Sequence, residues 1–145
     1  MDLGVYPLAW CRHLAGEAFE VERAVAEVDG VDMRFEAQLR FDSGIEANIG
    51  SRFGAERHRA SLSIEGLLGR IEVENFVGPH RGHCLRLIAG DDITEETVPG
   101  PTTYEAQLAA VRASVVDGAP FPLPPDDYVK SMRAIDRVRA AWSRS

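Results

Sequence analysis

Residues 31 to 41 read VDMRFEAQLRF, and their alternation decides the fold class. Val31, Met33, Phe35, Ala37, Leu39 and Phe41 take every second position, with Asp32, Arg34, Glu36, Gln38 and Arg40 between them. A strand points successive side chains to opposite faces, so this run describes a half-buried strand with one apolar and one polar face. Asp42-Ser43-Gly44 then makes a turn, and Ile45, Ala47, Ile49, Ser51 and Phe53 resume the alternation. Two such strands joined by a short turn form a hairpin, so the sheet is at least partly antiparallel. Upstream, residues 19 to 28 read as another strand that turns at Asp29-Gly30.

Further along, Ala60-Leu62-Ile64 and Ile71-Val73 alternate around a glycine turn, Gly66 to Gly69, and residues 85 to 87 and 93 to 98 add two more short strands. At Pro99-Gly100-Pro101 the period changes, and Thr102 with Glu105 has the spacing of a capping box. The helix predicted from there carries Tyr104, Leu108, Val111 and Val115 and stops at Gly118. The proline-rich connector APFPLPP, residues 119 to 125, leads to a last helix after Asp126, with Val129, Met132, Ile135, Val138 and Trp142 expected to face inward. A first helix is expected over residues 3 to 14, with Leu3, Leu8, Trp10, Cys11 and Leu14 on its apolar side, Pro7 disturbing its first turn and Gly16 ending it. Helix, strands, then two helices is a segregated order. It predicts an α+β fold: an open, mainly antiparallel sheet of six or seven strands with helices packed on one face.

Composition narrows the function. The 145 residues suit a single domain, 1–145, and 45% apolar with 27% charged is ordinary for a globular protein. A net charge of −7 argues against nucleic acid as the main partner, since phosphate binding needs a basic stripe. No apolar run approaches the length of a membrane helix, and the N-terminus lacks the pattern of a secretory signal, so the expected location is cytoplasmic, with neither nucleic acid nor membrane as partner. Cys11 and Cys84 both neighbour apolar residues and read as reduced, buried thiols.

Among residues that could carry chemistry, Asp2 and Tyr6 stand four apart, which puts both on one side of a helical turn. The phenol could pass a proton to or from a substrate hydroxyl while the carboxylate orients a second hydroxyl. On spacing alone, a capping aspartate and a tyrosine at the core edge is the stronger reading. His80, His83 and Cys84 cluster, but no second ligand pair accompanies them and His13 and His58 are isolated; a surface loop is the better reading than a metal site. Either histidine could instead reach a substrate pocket. No serine sits in a G-x-S-x-G elbow, and nothing matches G-x-G-x-x-G or a P-loop. The polar strand face, with Arg34, Glu36, Gln38, Arg40, Glu46, Asn48 and Arg52, is a solvated surface or a self-association face.

Taken in order, four motifs resemble a known family. Met1-Asp2-Leu3-Gly4-Val5-Tyr6 is similar to the D-x-G-x-Y variant of the active-site helix in the C-terminal domain of Gfo/Idh/MocA oxidoreductases, the group of glucose-fructose oxidoreductase and dihydrodiol dehydrogenases. Ile64-Glu65-Gly66 with Gly69-Arg70-Ile71-Glu72-Val73 looks like the family's I-x-G-x-x-G-x-I-x-V hairpin. Thr103-Tyr104-x-x-Gln107-Leu108 and the Met132-x-x-Ile135-Asp136 helix continue the likeness, which covers essentially the whole chain. Where fuller members carry a second acid, this chain has Ala9, which puts contacts to a sugar ring in question.

The resemblance implies a sugar, polyol or dihydrodiol substrate, with Tyr6 transferring the proton and Asp2 beside it. It also implies that NAD or NADP is held by an N-terminal Rossmann domain, that the sheet makes a homo-oligomer, and that the first strand, the nucleotide domain and the lysine of the family's E-K-P motif lie outside this chain. On that reading the chain alone binds no cofactor and is inactive. A non-catalytic module for dimerisation or for a sugar-like ligand, and one subunit of a split dehydrogenase, remain open as alternatives.

Overall fold

The computed structural model describes residues 3–144, in two compact units. One comprises the chain up to Glu56 together with the chain from Leu123 onward; the other runs from Arg57 to Pro122.

The first unit holds helix α1 (Val5–Ala15), strands β1 (Phe19–Asp29), β2 (Val31–Phe41) and β3 (Glu46–Arg52), helix α3 (Asp127–Ala140) and a three-residue strand β8 (Trp142–Arg144). Its sheet has the order β3-β2-β1-β8, antiparallel except that β8 runs parallel to β1. From Phe35 to Phe41 the alternation is as expected: Phe35, Ala37, Leu39 and Phe41 are buried, and Glu36, Gln38 and Arg40 are exposed. At the start of β2 the phase reverses, with Val31 exposed and Asp32 buried. The cause is a bulge. Glu27 pairs with Arg34 and Val28 with Asp32, so Met33 is an extra residue, and one extra residue exchanges the two faces. A second bulge at Glu22 explains why β1 points Phe19 and Val21 inward on odd positions but Ala24 and Ala26 on even ones.

Helices α1 and α3 cover the apolar face. Leu8 from α1, with Ala134, Ile135 and Val138 from α3, joins Phe19, Ala24, Ala26, Phe35, Ala37, Leu39, Phe41 and Ile49 in one core. Each fully buried Leu or Phe here contributes roughly 1.5–3 kcal/mol relative to exposure. The other face carries Arg40 between Glu22 and Glu46, and Arg34 beside Glu36, all exposed. Exposed pairs of this kind are screened by water and salt, so they solubilise the face more than they hold it.

The second unit is a meander, β4 (Ser61–Gly66), β5 (Gly69–Glu74), β6 (Cys84–Ala89) and β7 (Asp92–Glu96), followed by α2 (Thr103–Asp117). Gly66 to Gly69 is the expected turn, and a Cβ at Gly69 would lie 2.2 Å from the Ile88 carbonyl oxygen, so only glycine fits there. The capping box is formed in full: the Thr102 hydroxyl accepts from the Glu105 amide, and the Glu105 carboxylate accepts from the Thr102 amide. Gly118 ends the helix in the left-handed region, φ +67°.

Several expectations need correction. The α+β class and antiparallel pairing hold, but the strands form two four-stranded sheets. Between β3 and β4 the chain turns at Gly54 (φ +70°) and carries Glu56, Arg57 and Arg59 in a segment without ladder bonds. No residue of the second unit is buried, so Tyr104, Leu108, Val111 and Val115 are exposed along α2. On α3, Val129 and Met132 are half-exposed because Ala134, Ile135 and Val138 define the inward face. Trp142 lies beyond α3, in β8. Among the described residues no helix is long and apolar enough to cross a membrane.

Candidate active site

Tyr6 stands in the first turn of α1, half-exposed at 45%. Asp2 lies outside the described residues. Pro7 does not disturb the turn: it is the third helical residue, and the amide it lacks would have no intrahelical acceptor there.

The apolar side of α1 is not the one that hydropathy suggests. Leu8 and Arg12 are buried, whereas Trp10 and Leu14, expected inward, are exposed with Tyr6. Tyr6, Trp10 and Leu14 follow a four-residue spacing, offset by two residues from Leu8 and Arg12. At 3.6 residues per turn, that offset is about 200°, so the phenol occupies the helix face opposite the core.

Burial of Arg12, only 3% exposed, is made possible by carboxylates on either side. Its Nε and one terminal nitrogen donate to the two oxygens of Glu17, each at 3.0 Å. The same terminal nitrogen donates to Asp127 Oδ1 at 2.9 Å, and the other donates to the Ser131 hydroxyl at 2.5 Å. Asp127 is itself buried. Lys130 adds a cation at the rim, 3.0 Å from Asp126 and 4.0 Å from Glu17. Glu17 is close in sequence, but nothing near residue 12 signals the buried half of the cluster, because Asp127 lies 115 positions away.

Glu17 and Cys11 both depart from their ordinary titration. The Arg12 hydrogen bond holds the Glu17 carboxyl below its ordinary range, and the charges of Arg12 and Lys130 act in the same direction. Burial pushes the Cys11 thiol up, which keeps it protonated and unsuited to nucleophilic work. A carboxylate with a lowered folded-state pKa stabilises the protein above its unfolded value, and that contribution disappears as pH falls through the folded one. The melting-temperature difference between wild type and Glu17→Gln should therefore be present at neutral pH and shrink once pH drops below about 4.3. Thermal melts across pH 2.5 to 7 check this; a difference that persists unchanged in acid would count against the ion pair.

His80, His83 and Cys84 do not converge. The His83 Nε2 atom accepts from the Val98 amide at 2.9 Å and its Nδ1 donates to the Pro79 carbonyl at 3.0 Å, so both ring nitrogens serve the backbone. His80 is exposed, beside the Thr103 hydroxyl and 5.8 Å from the Tyr104 ring. Cys84 pairs with Glu74 in the β5–β6 ladder. Among the described residues no group of three or more His, Cys, Asp or Glu is placed to hold a metal ion. On the polar face of the first sheet, Arg23, Glu36, Gln38 and Asn48 line a shallow open depression.

No protein-family model matches the chain, and no curated protein matches it either. Solved structures do. A 3-ketoreductase from Actinomadura kijaniata, in complex with NADP and TDP-benzene, is 18% identical with a TM-score of 0.79, covering 99% of this chain and 45% of that one. An aldose-aldose oxidoreductase from Caulobacter crescentus, complexed with glycerol, is 26% identical with a TM-score of 0.81, covering 95% and 43%. Biliverdin reductase from Synechocystis, with biliverdin and NADP+, is 17% identical with a TM-score of 0.71, covering 95% and 44%. This chain thus spans less than half the length of each of these enzymes. It has the fold of the C-terminal domain of Gfo/Idh/MocA-type oxidoreductases.

Proposed function

We propose that the chain is the substrate-binding half of an NAD(P)-dependent oxidoreductase acting on a sugar, polyol or dihydrodiol in the cytoplasm, with Tyr6 as the proton-transfer residue. The observation that carries this reading is the position of Tyr6. Its helix turns Leu8 and Arg12 into the core and leaves the phenol on the outward side, where a substrate oxygen can reach it. As the phenolate, its Oη can take the proton of a substrate hydroxyl while that carbon is oxidised, and as the phenol it gives that proton back when a carbonyl is reduced. Asp2 would orient a neighbouring hydroxyl. A phenol moves its proton readily near neutral pH beside a cation, a role for a lysine from the nucleotide-binding segment.

The cofactor, when bound, supplies or accepts the hydride. The described residues do not fit it: no G-x-G-x-x-G occurs, and the Gly66–Gly69 pair joins two antiparallel strands rather than opening a helix. In this reading the dinucleotide is held by a Rossmann domain on another segment or subunit, against which the exposed stripe of Tyr6, Trp10 and Leu14 packs. The mixed-charge face of the first sheet is where copies of the chain associate. Titration of the purified chain with NADH and NADPH, followed by fluorescence, should give no micromolar binding; micromolar affinity for either would overturn the division of labour.

A further inference from the structure

We propose that Arg12 is a positioning residue: its fork to Glu17, Asp127 and Ser131 fixes the rotation of α1 about its axis and so aims the Tyr6 phenol outward. The proposal rests on the reading of Tyr6 given above.

Helix α1 carries apolar residues on both of its sides. One presents Leu8, with Val5, Cys11 and Ala15 partly buried beside it; the other presents Tyr6, Trp10 and Leu14. Apolar contact is non-directional and does not choose strongly between them. A roll of about 200° would turn Tyr6 inward and carry Arg12 away from α3. Asp127 would then be left buried without its cation, the costly half of a broken pair. The planar guanidinium has donors in fixed directions, and here four hydrogen bonds are made at once, to α3 and to the residue after Gly16. Selecting one of several similar packings is the best-attested use of a buried polar group. The rotation set at Arg12 is transmitted through less than two helical turns to Tyr6, since the residues between them are continuous helix.

The test separates aim from stability. Arg12→Met combined with Asp127→Leu removes the fork and leaves no buried charge, so the chain should stay folded. With 3-fluorotyrosine incorporated, the Tyr6 resonance, assigned by its loss in Tyr6→Phe, should split or shift in the double variant, while that of Tyr104, in the other unit, stays in place. Arg12→Lys keeps the charge without the fork and should move the Tyr6 resonance in the same way; it decides the matter if the double variant does not fold. In a chain supplied with a nucleotide-binding segment, either variant should lose on the order of 10²-fold in kcat with little change in KM. A single unshifted Tyr6 resonance in a folded variant lacking the fork overturns the proposal. Full turnover in Tyr6→Phe would instead overturn the catalytic reading and leave the resonance test standing.

Discussion

Tyr6→Phe should lower turnover by about 10²–10⁴-fold in a chain completed by a nucleotide-binding segment, with the melting temperature essentially unchanged. The size follows from what is removed. A single oxygen disappears, and with it the only group proposed to carry the proton at the substrate oxygen. The change keeps the ring, and Tyr6 is 45% exposed, so packing is barely touched; substitutions at such positions usually stay within about 0.5 kcal/mol. A loss of activity could therefore not be traced to a loss of fold. Steady-state kinetics on wild type and variant check it. Turnover within twofold of wild type would remove the phenol from the mechanism and leave the chain as a binding module.

What the sequence discloses depends on the range of the interactions involved. The 31–41 strand is legible because burial of one face imposes period two on neighbouring residues. The capping box and the Gly66–Gly69 turn are legible for the same reason: each is satisfied within four residues. The bulges at Glu22 and Met33 leave only a faint trace, a change of phase in which positions are apolar. Which side of α1 faces the core is not legible at all. Trp10 and Leu14 are more apolar than Arg12, and hydropathy places them inside. The decision is made by Asp127 and Ser131, contributed by a helix more than 110 residues later. The motif singles out Tyr6 as the proposed proton carrier, and in the proposal above its outward aim follows from that long-range pair.

Arg12→Met alone should destabilise the first unit by about 3–5 kcal/mol, and adding Asp127→Leu should recover most of the loss. Methionine replaces the apolar stem of arginine though not its guanidinium, so the core beside Leu8 stays largely filled. What changes is electrostatic. Asp127 remains buried with its cation gone, and an unpaired buried charge is costly. Glu17 suffers less, because half of its side chain meets water. Removing the second charge removes the penalty, and this non-additivity is the signature of a buried pair rather than of two independent contacts. Chemical denaturation of the single and double variants measures it directly. Equal losses in the single and double variants would mean that packing, not charge, holds α1 to α3. The expected pattern, a large loss that the second substitution largely reverses, would mean that the fork contributes modestly to stability and chiefly to the choice of which helix face looks outward.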